Sequence, residues 1–123
     1  MELYESSEDY LEAILMIQED QGYVRSVDIS DKLNVSKPSV TYATKKLKNA
    51  KLITMDKIGM IQFTAEGEKI AKNIYTRHKT LTEFFVNIGV DKEQARIDAC
   101  KVEHDISEKT FNAIRRVLNN KSV

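Results

Sequence analysis

One cysteine, one proline and four glycines stand among 123 residues, and 19 basic side chains are cancelled by 19 acidic ones. A single cysteine cannot close an internal disulfide, and it fits a reducing cytoplasm. So little proline and glycine leaves few breakers, and regular structure should dominate. No apolar run approaches the roughly 20 residues that span a bilayer, so no membrane segment is expected. The first nine residues are rich in acid and hold no apolar signal segment. Repeats, low-complexity stretches and Gly-rich phosphate loops are all missing. The zero net charge does not exclude a nucleic-acid partner, because local distribution decides that. What is present is ordinary for a globular chain: 41% hydrophobic and 31% charged residues. The length suits one compact unit, or two small lobes sharing a core.

Hydrophobic spacing supplies the organisation. Leu11, Ile14, Leu15 and Ile17 recur at helical intervals, which predicts a first helix from Ser6 or Ser7 to about Asp20, ended by Gln21-Gly22. Ser26 reads as the cap of a short helix, Val27 to Leu33, with Ile29 and Leu33 inward. Asn34-Val35-Ser36 is a tight connection. Ser36 then caps a third helix with Pro38 in its first turn, where proline is tolerated. Val40, Ala43, Thr44 and Leu47 form its inner face. Two helices joined by so short a turn read as a helix-turn-helix. The period then changes. Leu52 to Asp56 and Met60 to Thr64 flank Lys57-Ile58-Gly59, a pattern for a two-stranded hairpin, the wing of a winged helix. Thr64 can cap a long helix from Ala65 to about Asn87, closed by Gly89. Asp91, with Gln94 three residues on, begins another that runs to about Asp105. Ser107 caps a final helix holding Phe111, Ile114, Val117 and Leu118. The expected fold is mainly α, a winged helix-turn-helix followed by an all-helical lobe. The division falls near residue 65, giving domains 1–64 and 65–123.

Charge is concentrated on the third helix. Between Lys37 and Lys51 there are five lysines (37, 45, 46, 48 and 51) and no acidic residue, so the rest of the chain is net acidic. The start of that helix offers Ser36, Lys37, Pro38, Ser39, Thr41 and Tyr42. A recognition helix meets base edges with its N-terminal residues, while basic residues farther along, here Lys45 and Lys46, meet phosphates. Lys57 at the wing tip reaches towards backbone or minor groove. The bland alternative is a solvated lysine face. Hydroxyls and a phenol are not the arginine or asparagine of strong base readout, so thymine methyls and DNA shape should carry specificity.

Cys100-Lys-Val-Glu103-His104 spends the only cysteine and one of only two histidines within five residues. On a helix, positions i, i+3 and i+4 share a face. Thiol, carboxylate and imidazole would then converge as a transition metal requires. His78 is the other histidine, and Asp9 and Glu12 lie one turn apart on the first helix. Each residue has an ordinary alternative. Asp9 pairs with Ser6 as a helix cap, Glu12 is solvated, His78 is a satisfied half-buried histidine, Cys100 is inert core, and Glu103-His104 is polar surface at a helix end. Together they make six ligand-type groups on three helices. A cysteine-nucleophile enzyme is disfavoured, since no orienting third group or oxyanion element is evident.

With these motifs assembled, the chain resembles the diphtheria-toxin-repressor/manganese-transport-regulator family of metal-dependent repressors. The resemblance is carried by Ser7-Glu-Asp-Tyr-Leu-Glu12, Ser36-Lys-Pro-Ser-Val-Thr41, Phe63-Thr-Ala-Glu-Gly67, Arg77-His78 and Asp98-Ala-Cys-Lys-Val-Glu-His104. It implies that Asp9, Glu12, His78, Cys100, Glu103 and His104 are metal ligands. Asp9 and Glu12 match the manganese branch, and Cys100 falls where the iron branch has cysteine and the manganese branch glutamate. Glu103 and His104 match both, so the implied set is a hybrid. Thr82 and Arg96 stand where the iron branch's ancillary site has a glutamate and a second histidine, so that site is not expected in its known form. The end at Val123 implies the short type, without an SH3-like domain.

The implied function is that of a cytoplasmic homodimeric repressor of Mn(II)/Fe(II) uptake genes. It would bind double-stranded operator DNA once Mn(II) or Fe(II), one or two ions per subunit, is bound. The alternatives are a metal-independent winged-helix regulator answering to a small organic effector, and a small metalloenzyme using Glu12 or Glu103 as a base.

Overall fold

A computed structural model describes residues 5–120, with side chains from residue 7 onward. Six helices and one hairpin follow in the order α1 (Glu5–Gln21), α2 (Ser26–Leu33), α3 (Lys37–Asn49), β1 (Ile53–Met55), β2 (Ile61–Phe63), α4 (Ala65–Asn87), α5 (Lys92–Val102) and α6 (Glu108–Asn120). None of these helices is long and apolar enough to cross a membrane. The expected winged helix-turn-helix followed by helices is what forms. The chain divides into two compact units, 1–72 and 73–123.

In the first unit, α1 buries its whole expected stripe: Leu11, Ile14, Leu15 and Ile17 are all below a tenth exposed. Ile29 of α2 and Val40, Thr44 and Leu47 of α3 are buried with it, whereas Leu33 and Ala43 are half-buried. Thr44 tolerates burial because its hydroxyl donates to the Val40 carbonyl one turn back at 2.9 Å. The α2–α3 turn works through Asn34, which takes the left-handed conformation at φ 55° and donates its N–H to Ser30 O. Asparagine is among the few side chains suited to that region. The Ser30 hydroxyl donates to Val35 O at 2.6 Å and fastens the same turn.

One capping expectation fails. Ser26 is the first helical residue of α2, and Arg25 is its N-cap. Asp28 does the work from inside the helix, accepting the Arg25 N–H at 2.9 Å. A carboxylate in the first turn satisfies an orphan donor and faces the positive end of the helix dipole.

The wing is antiparallel, with Ile53 opposite Phe63 and Met55 opposite Ile61. Asp56 holds its tip: Oδ1 accepts the N–H groups of Ile58 (3.0 Å) and Met60 (2.9 Å). Gly59 sits there at φ +87°. The segment before α2 also joins this edge, since Ile61 N–H donates to Val24 O at 2.8 Å and Arg25 bridges Met60. The sequence pattern did not announce that pairing.

Thr64 caps α4 as expected, its hydroxyl accepting the Gly67 N–H at 3.1 Å and donating to Lys51 O at 2.8 Å. Gly67 brings the helix against the chain entering the wing. A Cβ there would stand 1.9 Å from the Leu52 carbonyl oxygen.

The second unit takes α4 from residue 73 onward together with α5 and α6. Its core is Leu81, Ala99 and Phe111, with Phe85, Val102, Ile106 and Ile114 packed against them. Asp91 caps α5, accepting the Gln94 N–H at 3.1 Å, and Ser107 caps α6, accepting the Thr110 N–H at 3.1 Å. Val117 lies outside this core, 56% exposed. Helix α5 stops at Val102, three residues short of the expected end. Beyond it the N–H groups of Asp105 and Ile106 both turn back to the Val102 carbonyl, at 3.0 Å each.

Candidate metal centre and DNA-reading surface

The early stop of α5 changes how its ligand-type residues are held. Cys100 is helical, and Glu103 is the C-cap with helical angles (φ −58°, ψ −27°), donating its N–H to Ala99 O at 2.9 Å. These two keep their one-turn relation. His104 lies past the helix, in the following turn. The expectation that all three share a helical face is therefore corrected: helix geometry places two, and the turn places the third.

Glu103 is the centre of the cluster in the second unit. It is 2% exposed, although carboxylates are seldom buried without partners. Its Oε2 lies 3.1 Å from Nδ1 of His78, which reaches it from α4. Its Oε1 lies 3.4 Å from Nε2 of His104 and accepts no hydrogen bond. If Nδ1–H donates to the carboxylate, the neutral His78 ring carries its lone pair on Nε2, the arrangement usual for a metal-ligating histidine. The His78 side chain is largely buried and that of His104 almost wholly so. Cys100 is exposed, which overturns the reading of it as inert core.

In the first unit, Asp9 and Glu12 stand one turn apart on α1, Asp9 half-buried and Glu12 buried. The cap reading of Asp9 depends on the Ser6 side chain, which lies outside the described residues. Asp9 and Glu12 here, and Cys100 and Glu103 in the second unit, are candidate metal-binding residues, each offering a carboxylate oxygen or a thiol sulfur.

The donor chemistry fits a divalent transition ion. Carboxylates suit a hard cation such as Mn(II), while imidazole and thiolate suit Fe(II), Co(II) or Zn(II). A buried carboxylate oxygen that accepts no hydrogen bond is where such a cation would bring compensation.

The recognition-helix residues are all exposed: Ser36, Lys37, Pro38, Ser39, Thr41, Tyr42, Lys45 and Lys46. Ser36 caps α3, accepting the Ser39 N–H at 3.3 Å, and its own hydroxyl lies 2.9 Å from the Ser39 hydroxyl. The Thr41 hydroxyl donates back to Lys37 O at 3.1 Å. Tyr42 is 69% exposed, and Lys46 Nζ sits 5.5 Å from its ring centre. An open cleft of about 410 Å³ separates this helix from the start of α1, walled by Tyr10, Pro38, Tyr42 and Lys46 among others. Lys57 is exposed on the wing.

A winged helix-turn-helix followed by helices bearing clustered ligand-type residues defines a DNA-binding regulator of the metal-responsive class. The family models agree. Residues 2–59 match "Iron dependent repressor, N-terminal DNA binding domain", and residues 64–123 match "Iron dependent repressor, metal binding and dimerisation domain". The chain belongs to the diphtheria-toxin-repressor/manganese-transport-regulator family of metal-dependent transcriptional repressors, whose members are regulators and not enzymes. It is 38% identical over 112 residues to the HTH-type transcriptional regulator MntR of Bacillus subtilis (strain 168), covering 91% of this chain and 77% of that protein. It is 39% identical over 108 residues to the transcriptional regulator MntR of Escherichia coli O157:H7, covering 88% of this chain and 70% of that one. Among solved structures, a manganese-dependent transcriptional repressor in complex with manganese superposes with a TM-score of 0.83 at 26% identity. That match covers 92% of this chain, which spans only 52% of the other.

Proposed function

We propose that this protein is a cytoplasmic, homodimeric repressor of Mn(II) and Fe(II) uptake genes that binds operator DNA when the metal is plentiful. The observation that carries the reading is the buried Glu103 carboxylate between two imidazoles, in the segment matching the metal-binding and dimerisation model. The functional division falls after Thr64: residues 1–64 read DNA, and residues 65–123 bind metal and dimerise. The six ligands are Asp9, Glu12, His78, Cys100, Glu103 and His104, holding one or two ions per subunit.

A divalent cation supplies the positive charge that lets these carboxylates stay ionised and close. Asp9 and Glu12 belong to the helix that packs on the DNA-reading pair, so their engagement ties metal occupancy to the attitude of α3. Lys45, Lys46 and Lys57 then meet phosphates, and Ser36, Lys37, Pro38, Ser39, Thr41 and Tyr42 meet base edges. In a dimer, the two α3 helices would address half-sites separated by steps of ~34–36 Å. A coupling of ~3 kcal/mol between metal and DNA raises operator affinity by a little over a hundredfold.

The test is operator binding by fluorescence anisotropy, titrated anaerobically with Mn(II) and Fe(II) in separate series. A rise on the order of a hundredfold with either ion, reversed by chelator, is expected. Operator affinity that chelator and metal both leave unchanged would sink the sensor reading.

A further inference from the structure

The ligand-bearing turn after α5 is held by a residue that is not itself a metal ligand. Arg77 precedes His78 on α4. Its Nη1 donates to the Glu103 carbonyl at 3.0 Å and to the Ile106 carbonyl at 3.1 Å. Both oxygens lie at or beyond the helix end, where carbonyls have no partner within the helix. The guanidinium also lies 5.3 Å from the centre of the Phe111 ring, and Arg115 lies 5.1 Å from the same ring. Phe111 is 3% exposed and belongs to the unit's core. One planar group is thus braced on the core while joining both ends of the segment 103–106.

From this geometry we propose that Arg77 is a positioning residue for the metal centre: it ends α5 at Val102 and presents Glu103 and His104 to the ion. The proposal rests on the metal reading above and deepens it.

Three observations support the role. Val102 O already takes two N–H groups of this turn, so the turn is closed at its start by backbone. The described bonds to the carbonyls at its two ends, Glu103 and Ile106, come from Arg77. The bonds go to the peptide of Glu103, while Glu103 Oε2 is given to His78 and Oε1 accepts no hydrogen bond. A cation so near a metal site would compete for the carboxylate if it paired with it; bonded to the carbonyl, it orients the ligand without occupying it. Finally, adjacency on α4 couples the two functions. Arg77 fixes the turn, and His78, next in sequence, touches the side chain that the turn presents. A lysine carries one tetrahedral ammonium and cannot reproduce the planar fork, but it can still reach a carbonyl.

The experiment uses the full chain and compares wild type, Arg77→Met, Arg77→Lys and a control, Leu118→Val, which trims the buried face of α6 away from the turn. Thermal unfolding without metal ranks their stabilities. Affinity for Mn(II) is measured by calorimetry, and the visible absorption of bound Co(II) reports ligand geometry. Arg77→Met should bind Mn(II) at least tenfold more weakly and shift the Co(II) spectrum, with Arg77→Lys between it and wild type. Leu118→Val should stay within twofold of wild type with an unchanged spectrum, whatever its thermal midpoint. An Arg77→Met variant within twofold of wild type and spectrally unchanged overturns the positioning role alone. So does a Leu118→Val variant showing the same weakening and the same spectral shift, because stability would then explain both. A wild-type chain that binds neither ion overturns the metal reading, and the positioning role with it.

Discussion

Replacing Glu103 by glutamine should move metal affinity and stability independently, and that separation tests whether this carboxylate is present for function. The side chain is fully buried, and burying a carboxylate carries an effective penalty of several kcal/mol in a folded protein. The contact to His78 Nδ1 at 3.1 Å offsets part of that penalty, whereas Oε1 accepts no hydrogen bond. Glutamine has the same shape, and its amide oxygen can accept from Nδ1–H. The substitution therefore removes a charge burial cost and retains one hydrogen bond. Without metal, unfolding free energy should be unchanged or higher by up to ~2 kcal/mol, since buried ionic groups are often replaceable at no loss. With metal, an anionic donor becomes a neutral one. Affinity should fall at least ~100-fold, about 2.8 kcal/mol at 1.4 kcal/mol per tenfold. Urea unfolding followed by circular dichroism in chelator reads the first quantity, with the slope checked for constancy. Calorimetric titration with Mn(II) reads the second. A variant destabilised by more than ~2 kcal/mol in chelator, yet binding Mn(II) within threefold of wild type, would refute the reasoning and make Glu103 a structural anchor.

Three further outcomes are expected. Gly67→Ala should lower urea stability by at least ~2 kcal/mol, because its Cβ would meet the Leu52 carbonyl at 1.9 Å and backbone must move to admit it; an unchanged midpoint would mean that α4 shifts freely. Cys100→Glu should raise the ratio of Mn(II) to Zn(II) affinity by roughly tenfold, since a hard donor replaces a soft one, and competition titration against a chromophoric chelator measures that ratio. Burial pushes the Tyr10 phenol up from its ordinary value of 10.0. The folded state then holds its proton where the unfolded chain releases it, so Tyr10 contributes stability that is full below pH ~10 and is lost as pH rises through the folded value. The urea midpoint of wild type should therefore fall relative to that of Tyr10→Phe as pH rises above ~10, and parallel profiles would exclude the effect.

The elements were legible because local rules write them. Helical spacing of Leu11, Ile14, Leu15 and Ile17, caps at Ser36, Thr64, Asp91 and Ser107, and the switch to a strand pattern after Leu52 all reappear in the structure. Where the reading slipped, one competitor was a local bond that the cap residue alone does not show, and the other accompanied a contact between distant residues. Asp28 at the third position of α2 made Arg25 the cap in place of Ser26. The turn braced by Arg77 accompanies the end of α5 at Val102, although Glu103, His104 and Asp105 are all compatible with helix.

The functional residues divide the same way. Sequence alone determined which side chains were available: one thiol, two imidazoles, a pair of acids one turn apart and five lysines between positions 37 and 51. Residue type and spacing limit chemistry before any folding occurs, so a metal and DNA could be inferred. Tertiary structure decided what each became. It buried Glu103 and exposed Cys100, and it brought His78 across 25 positions of chain to 3.1 Å. It also set Arg77 against the carbonyls of Glu103 and Ile106. Burial and long-range contact depend on how helices pack, and packing is a property of the whole core that no five-residue window contains.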